Sequence, residues 1–272
     1  MNFCARRAKI ICAVILFVVF TGPRPAHALV SDALTPDEAE RVGAVVFKNE
    51  CASRDQNLIV WNGGEDFLSA GIGHFIWLTS DSPRIFEESF SGFIEFAKGA
   101  GCELPVWLDS ESPPPCPWNS RDEFMAVRDG PLFAELKEFL VKTKTLQARF
   151  IIKRLDEALP RLLESVPGKE RDEIESRFNR VAQTARGVYA LADYVNFKGL
   201  GILPSERYQG KGWGLLQVLQ GMRSEADAPD AVVDFVRSAG EVLVERVNGS
   251  SPERNEKRWL AGWLNRVGSY AR

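Results

Sequence analysis

The chain has 272 residues, with 34 Lys and Arg against 37 Asp and Glu, a formal charge of −3. Without its first 28 residues it loses four cations and no acid and carries −7, which excludes the basic footprint of a nucleic-acid binder. Length and a 45% apolar content suffice for one large domain or two small lobes.

In chain order, the basic "MNFCARRAK", the apolar "IICAVILFVVF" and the small-residue "AHA" have the layout of a secretory signal, with cleavage expected after Ala28. The apolar run is too short to span a bilayer. A periplasmic or secreted location therefore follows, with no stable membrane insertion once the signal is cleaved. Cys51, Cys102 and Cys116 remain. Cys102 and Cys116 flank "ELPVWLDSESPPP" and are the preferred disulfide pair.

Thr35, Pro36 and Glu38 supply a cap, a first-turn proline and a capping box. Ala39, Val42, Val46 and Phe47 continue that helix at helical spacing. Two β-prone pieces follow, "LIVW" and "GIGHFIW", and Asn62-Gly63-Gly64 between them predicts a small hairpin. Residues 79–131 are loop-rich, with a short helix near "FSGFIEFAKGA". Helices are predicted over 132–146, 148–165, 169–197, 229–248 and 255–267. The glycines and proline of "NFKGLGILPSERYQGKGWG" break the run. The fold class is thus mainly α with a small β component (α+β).

Several chemistries lack their residues. One histidine outside the signal and three unclustered cysteines do not make a zinc site. No phosphate loop is present, and "GLG" and "GKGWG" lack the strand-to-helix context of a dinucleotide fold. No metal or organic cofactor is implied. What stands out is Glu50, at the last turn of the capped helix and on the apolar stripe of Ala39, Val42 and Val46. Burial and the negative helix end would both favour its protonated form, as a general acid requires. Glu65 and Asp66 follow the glycine turn, and a hairpin would fold them back toward Glu50. Two carboxyls across a cleft are the working parts of glycoside hydrolysis; acids in a turn are also ordinary solvated turn residues.

A helix ending in glutamate, an acidic turn, a hydroxyl residue and "GIGH" together resemble the phage-type lysozymes, family 24 of the glycoside hydrolases. The resemblance implies a lysozyme-like, two-lobed fold that cleaves β-1,4 bonds between the amino sugars of peptidoglycan, acting as a monomer. It makes Glu50 the acid, Glu65 or Asp66 the second carboxylate and Ser69 the hydroxyl that helps hold water. His74 becomes the ring that braces Glu50. Residues 189–219 resemble a later segment of the same family, and "GWGLLQV" is similar to a phrase of goose-type lysozymes and lytic transglycosylases. "EKRWLAGWLNRVGSY" resembles the closing arginine-rich helix. The likeness covers roughly 36–78 and 186–271. It divides residues 29–272 into a catalytic helix with hairpin (36–78), a helical insertion without counterpart (79–185) and a helical lobe (186–272).

Trp61 and Trp213 are the expected stacking residues of a sugar cleft, with Asn196, Tyr208 and Gln217 as polar lining. Each has a plainer role in core packing, helix capping or turn bonding. His74 is equally suited to be a hydrogen-bonded core histidine, and Cys51 with His74 could form a thiol–imidazole pair. The competing function is a catalytically silent scaffold of the same fold that binds glycan or an envelope protein.

Overall fold

The computed structural model describes residues 30, 34–82, 87–128, 130–224 and 230–272. The predicted signal and its cleavage point lie outside them. The described part is mainly helical with a small antiparallel sheet. None of its helices is long and apolar enough to cross a membrane.

Helix α1 (Pro36–Cys51) starts as its sequence dictates. The Thr35 hydroxyl accepts from the Glu38 amide at 3.3 Å, and the Glu38 carboxylate accepts from the Thr35 amide at 2.9 Å. Its buried stripe of Ala39, Val42, Gly43 and Val46 packs on α5 (Lys144–Ser165) and α7 (Ala185–Lys198). A Cβ on Gly43 would lie 2.4 Å from that of Ala148, so a glycine lets these two backbones cross closely.

The β component is a three-stranded meander rather than a two-piece hairpin. Strands β1 (Ile59–Val60), β2 (Phe67–Ala70) and β3 (Phe75–Leu78) lie in that order, with Val60 opposite Ser69 and Ser69 opposite Ile76. Asn62-Gly63-Gly64 does turn the chain, between β1 and β2, with Gly64 at φ +87°. The first half of "GIGHFIW" is not strand. Residues 71–74 form the turn between β2 and β3, where Gly71 has φ +82° and His74 has φ +46°. A Cβ on Gly71 would also meet Gln147 Oε1 at 2.6 Å. That oxygen accepts from the Ile72 amide at 2.7 Å, so α5 fixes the turn through one buried glutamine.

The other α-helices of residues 34–272 that the structure describes are α2 (Phe90–Gly99), α3 (Arg121–Ala126), α4 (Pro131–Lys142), α6 (Gly168–Ala182), α8 (Leu215–Gly221), α9 (Ala231–Gly249) and α10 (Lys257–Gly268). The single helix expected over 169–197 is two. Thr184 caps α7 by accepting from the Gly187 amide at 3.1 Å, and a Cβ on Gly187 would fall 1.7 Å from the Val181 carbonyl. Only glycine fits that corner. A short hairpin, β4 (Arg207–Tyr208) with β5 (Lys211–Gly212), precedes α8.

The three described cysteines are unpaired, so the expected Cys102–Cys116 bridge is absent. Cys116 is buried, with its amide donating to Leu78 of β3. Cys102, past the end of α2, turns its thiol to the Glu103 carbonyl.

Candidate active site

Glu50 continues the buried stripe of α1 one turn beyond Val46 and keeps 15% of its side chain exposed. Three elements converge on it. From the β2–β3 turn, His74 Nδ1 lies 3.6 Å from Oε2. From α7, Asn196 Nδ2 donates to Oε1 at 3.2 Å and to the Gly73 carbonyl at 2.9 Å, tying the turn to the glutamate. From α10, Arg266 Nη2 donates to Oε1.

Arg266 is held in turn by Asp193, one helical turn before Asn196. The guanidinium forks onto this fully buried carboxylate at 2.8 and 2.9 Å, and the Tyr270 hydroxyl donates to it at 2.5 Å. Burial opposes the charge on Arg266, but Asp193 and Glu50 outweigh it and hold its pKa above the ordinary guanidinium value. Burial, and then Asp193, raise that of Tyr270. Glu50 therefore has the Arg266 guanidinium and the Asn196 amide as partners, where the sequence pattern suggests an unpartnered acid on an apolar face.

The two oxygens of Glu50 have different surroundings. Oε1 receives two donors and is an acceptor. Oε2 faces only the imidazole. His74 Nε2 lies 3.0 Å from the Asn57 carbonyl, which cannot donate. Nε2 therefore carries hydrogen, and Nδ1 is the ring nitrogen that faces Glu50. His74 thus stands beside Glu50, with its backbone in the left-handed region, uncommon outside glycine.

Glu65 is half-buried in the neighbourhood of His74. Burial raises its carboxyl pKa, while the Asn62 amide, donating at 3.0 Å, and then His74 act against the rise. Among the described residues, no hydrogen bond or ion pair joins Glu65 to Glu50. Asp66 is exposed, with its backbone carbonyl accepting from Ser82. Ser69 is 4% exposed in the middle strand, a poor position for holding a reactive water.

The other expected residues gather elsewhere or turn inward. Trp61 is buried, with its indole N–H donating to the Glu65 carbonyl at 2.7 Å and its ring tilted against Phe124. Trp213 is also buried; its carbonyl accepts from Tyr194 and its ring lies under Arg246 at 4.1 Å. Neither offers an open face to a sugar. Tyr208 donates to Glu256 at 2.7 Å, and Arg246 donates to the same buried carboxylate at 2.9 and 3.0 Å. Gln217 accepts from the Gly214 amide and donates to the Gly201 carbonyl, pinning the loop before α8. A groove of about 800 Å³ runs beside α9, lined by Tyr208, Lys211, Arg237, Val244 and Leu264 among others; Glu50 is not part of it.

The thiol–imidazole reading fails on chemistry. Cys51 Sγ is 3.6 Å from His74 Nε2, but that nitrogen is engaged by Asn57. Burial, then the charge of Glu50, push the thiol up to about 12, which leaves no thiolate for attack. Among the described residues, no group of three or more His, Cys, Asp or Glu is placed to hold a metal ion.

No family model, curated protein or solved structure matches the chain. Arg266 and Asp193, absent from the sequence-based site, had one signal. Asp193 is the single charge within "YALADYV", and an acid inside an apolar helical run calls for a buried cation.

Proposed function

We propose that the chain is an exported, lysozyme-like enzyme that cleaves β-1,4 bonds between amino sugars of peptidoglycan. The observation that carries this reading is the unequal environment of the two Glu50 oxygens. Arg266 and Asn196 fix Oε1, which leaves Oε2 as the oxygen that holds and releases a proton, with His74 Nδ1 as its neighbour. Glu50 Oε2 protonates the departing glycosidic oxygen as the C–O bond breaks. Water then adds to the sugar carbon and passes its proton to the Glu65 carboxylate, so atoms and charge balance. Burial raises the Glu65 carboxyl above its ordinary value, which makes its carboxylate a stronger base.

The test is release of reducing ends from purified sacculi by wild type and by Glu50→Gln. Loss of one proton donor lowers the rate about 10²- to 10⁴-fold, and equal release by both proteins rejects the reading. One observation favours a silent glycan-binding scaffold instead: the large groove beside α9 lies away from Glu50. Wild type that binds sacculi and releases nothing decides for that alternative.

A further inference from the structure

The chain leaves α1 through two consecutive left-handed residues, Ala52 at φ +51° and Ser53 at φ +56°. With His74 at φ +46°, three of the five described non-glycine residues in this region flank Glu50. Such backbone persists only where surrounding contacts over-determine it. Here one residue, Asn57, supplies contacts to both sides.

The Asn57 side chain reaches back to the helix. Its Nδ2 donates at 3.0 Å to the carbonyl of Cys51, the last residue of α1. That carbonyl has no partner within the helix, and the Arg54 amide is its second donor, at 2.9 Å. The main-chain carbonyl of Asn57 accepts from His74 Nε2 at 3.0 Å. Cys51 Sγ, 3.6 Å from the same nitrogen, is a weak acceptor beside it. Asn57 thus ties the helix end that carries Glu50 to the ring that faces Glu50.

The turn bearing Asn57 is held from α5. Lys144 Nζ donates to Asp55 Oδ1 at 2.5 Å and lies 4.2 Å over the Phe47 ring of α1. Three residues on, Gln147 holds the Ile72 amide in the turn that bears His74. The first turn of α5 therefore fixes both loops that meet at the imidazole. It belongs to residues 79–185, which the lysozyme likeness does not cover.

An imidazole placed by packing alone has two flipped orientations of the same shape. One turns Nδ1 to Glu50, and the other puts the carbon Cδ2 in its place. The flipped ring would also set Cε1, a carbon, against the Asn57 carbonyl and forfeit that hydrogen bond. We infer that Asn57 is a positioning residue for His74, selecting the ring orientation and the hydrogen on Nε2 that together present Nδ1 to Glu50. Only its effect on catalysis rests on the proposed function; the orientation of the ring is a property of the chain with or without that activity.

The test is NMR of the ring N–H on the full protein with 15N-labelled histidine, the signals of His27 being identified by their loss in His27→Gln. Wild type is expected to show a His74 ring N–H on Nε2 that exchanges slowly with water. Asn57→Ala and Asn57→Asp both lose the bond to Cys51. They are expected to speed that exchange about three- to tenfold, the factor that one hydrogen bond is worth. Hydrogen on Nδ1 in neutral wild-type His74 overturns the inference. So does lower stability in the variants with the ring exchange unmoved, which would reduce Asn57 to a helix-end contact. Should neither variant fold, Lys144→Met frees the same turn from α5 and is expected to speed the exchange likewise; no change there overturns the inference as well. In release from sacculi, Asn57→Ala should lower kcat and leave KM in place. A loosened ring with kcat unchanged overturns its bearing on catalysis. Activity retained in Glu50→Gln removes the catalytic reading and leaves the ring result untouched.

Discussion

Replacing Asp193 with asparagine tests the buried arrangement behind Glu50. Asp193 is fully buried and accepts three hydrogen bonds, two from Arg266 and one from Tyr270. Asparagine keeps the shape but brings an NH2 group against three donors and removes the charge. At least one bond is lost, and Arg266, 17% exposed, keeps Glu50 as its one anionic partner. Breaking a buried ion pair from one side costs about 3–5 kcal/mol, a large share of the ~5–15 kcal/mol of a typical domain. For a chain of this size that lowers the melting temperature by roughly 6–20 °C. Urea unfolding followed by tryptophan fluorescence at pH 7 reads the loss as a shifted midpoint at unchanged slope. Adding Arg266→Met should recover part of the stability, because the stranded cation is then gone. A loss below about 1 kcal/mol in the single variant would refute the view that Asp193 neutralises Arg266.

Other outcomes follow from single contacts. Gly71→Ala forces a side chain into a backbone at φ +82° and into Gln147, and should cost ~1–3 kcal/mol in the same assay. Gly63→Ala, where an added Cβ meets nothing within 4 Å, should stay within about 0.5 kcal/mol. Lys198 titrates at about 6 in the folded chain against an ordinary 10.5. Between those values the unfolded chain holds a proton that the folded chain does not, so stability rises with pH through that window. Wild type should gain up to about 1.4 kcal/mol per pH unit there relative to Lys198→Met, and parallel pH profiles of the two would contradict it. Among the described cysteines, iodoacetamide at pH 8 should label Cys102 in the native protein. Cys51 and Cys116, both buried and pushed up to about 12, should react only after unfolding, as mass spectrometry would register.

The local code of the chain was the readable part. Thr35 and Glu38 announce the start of α1, Asn62-Gly63-Gly64 announces a turn, and the spacing of Val42 and Val46 foretells which way Glu50 faces. Where a tertiary contact decides, sequence misleads. Residues 71–74 read as strand because apolar neighbours surround them, yet Gln147, 76 positions after Gly71, bends them into a turn. Gly187 inside an apolar run reads as a helix interior, but its closeness to Val181 makes it a corner. Within the site, Glu50, His74 and Asn196 were legible as polar residues at apolar junctions. Arg266 was not, because on its own helix it looks like one more surface cation. Trp61 and Trp213 carry no sign in the sequence of which ring face the core covers.

The Glu50 carboxylate collects its neighbours from positions 74, 196 and 266, so its counter-cation arrives last on a ribosome. A chain emerging in order exposes Glu50 without the arginine that balances it until residue 266 has been made. If the carboxyl is the working group, competence waits for α10 to dock. A proteolytic cut ahead of residue 257 would then silence the molecule while leaving the first helix and the sheet in place.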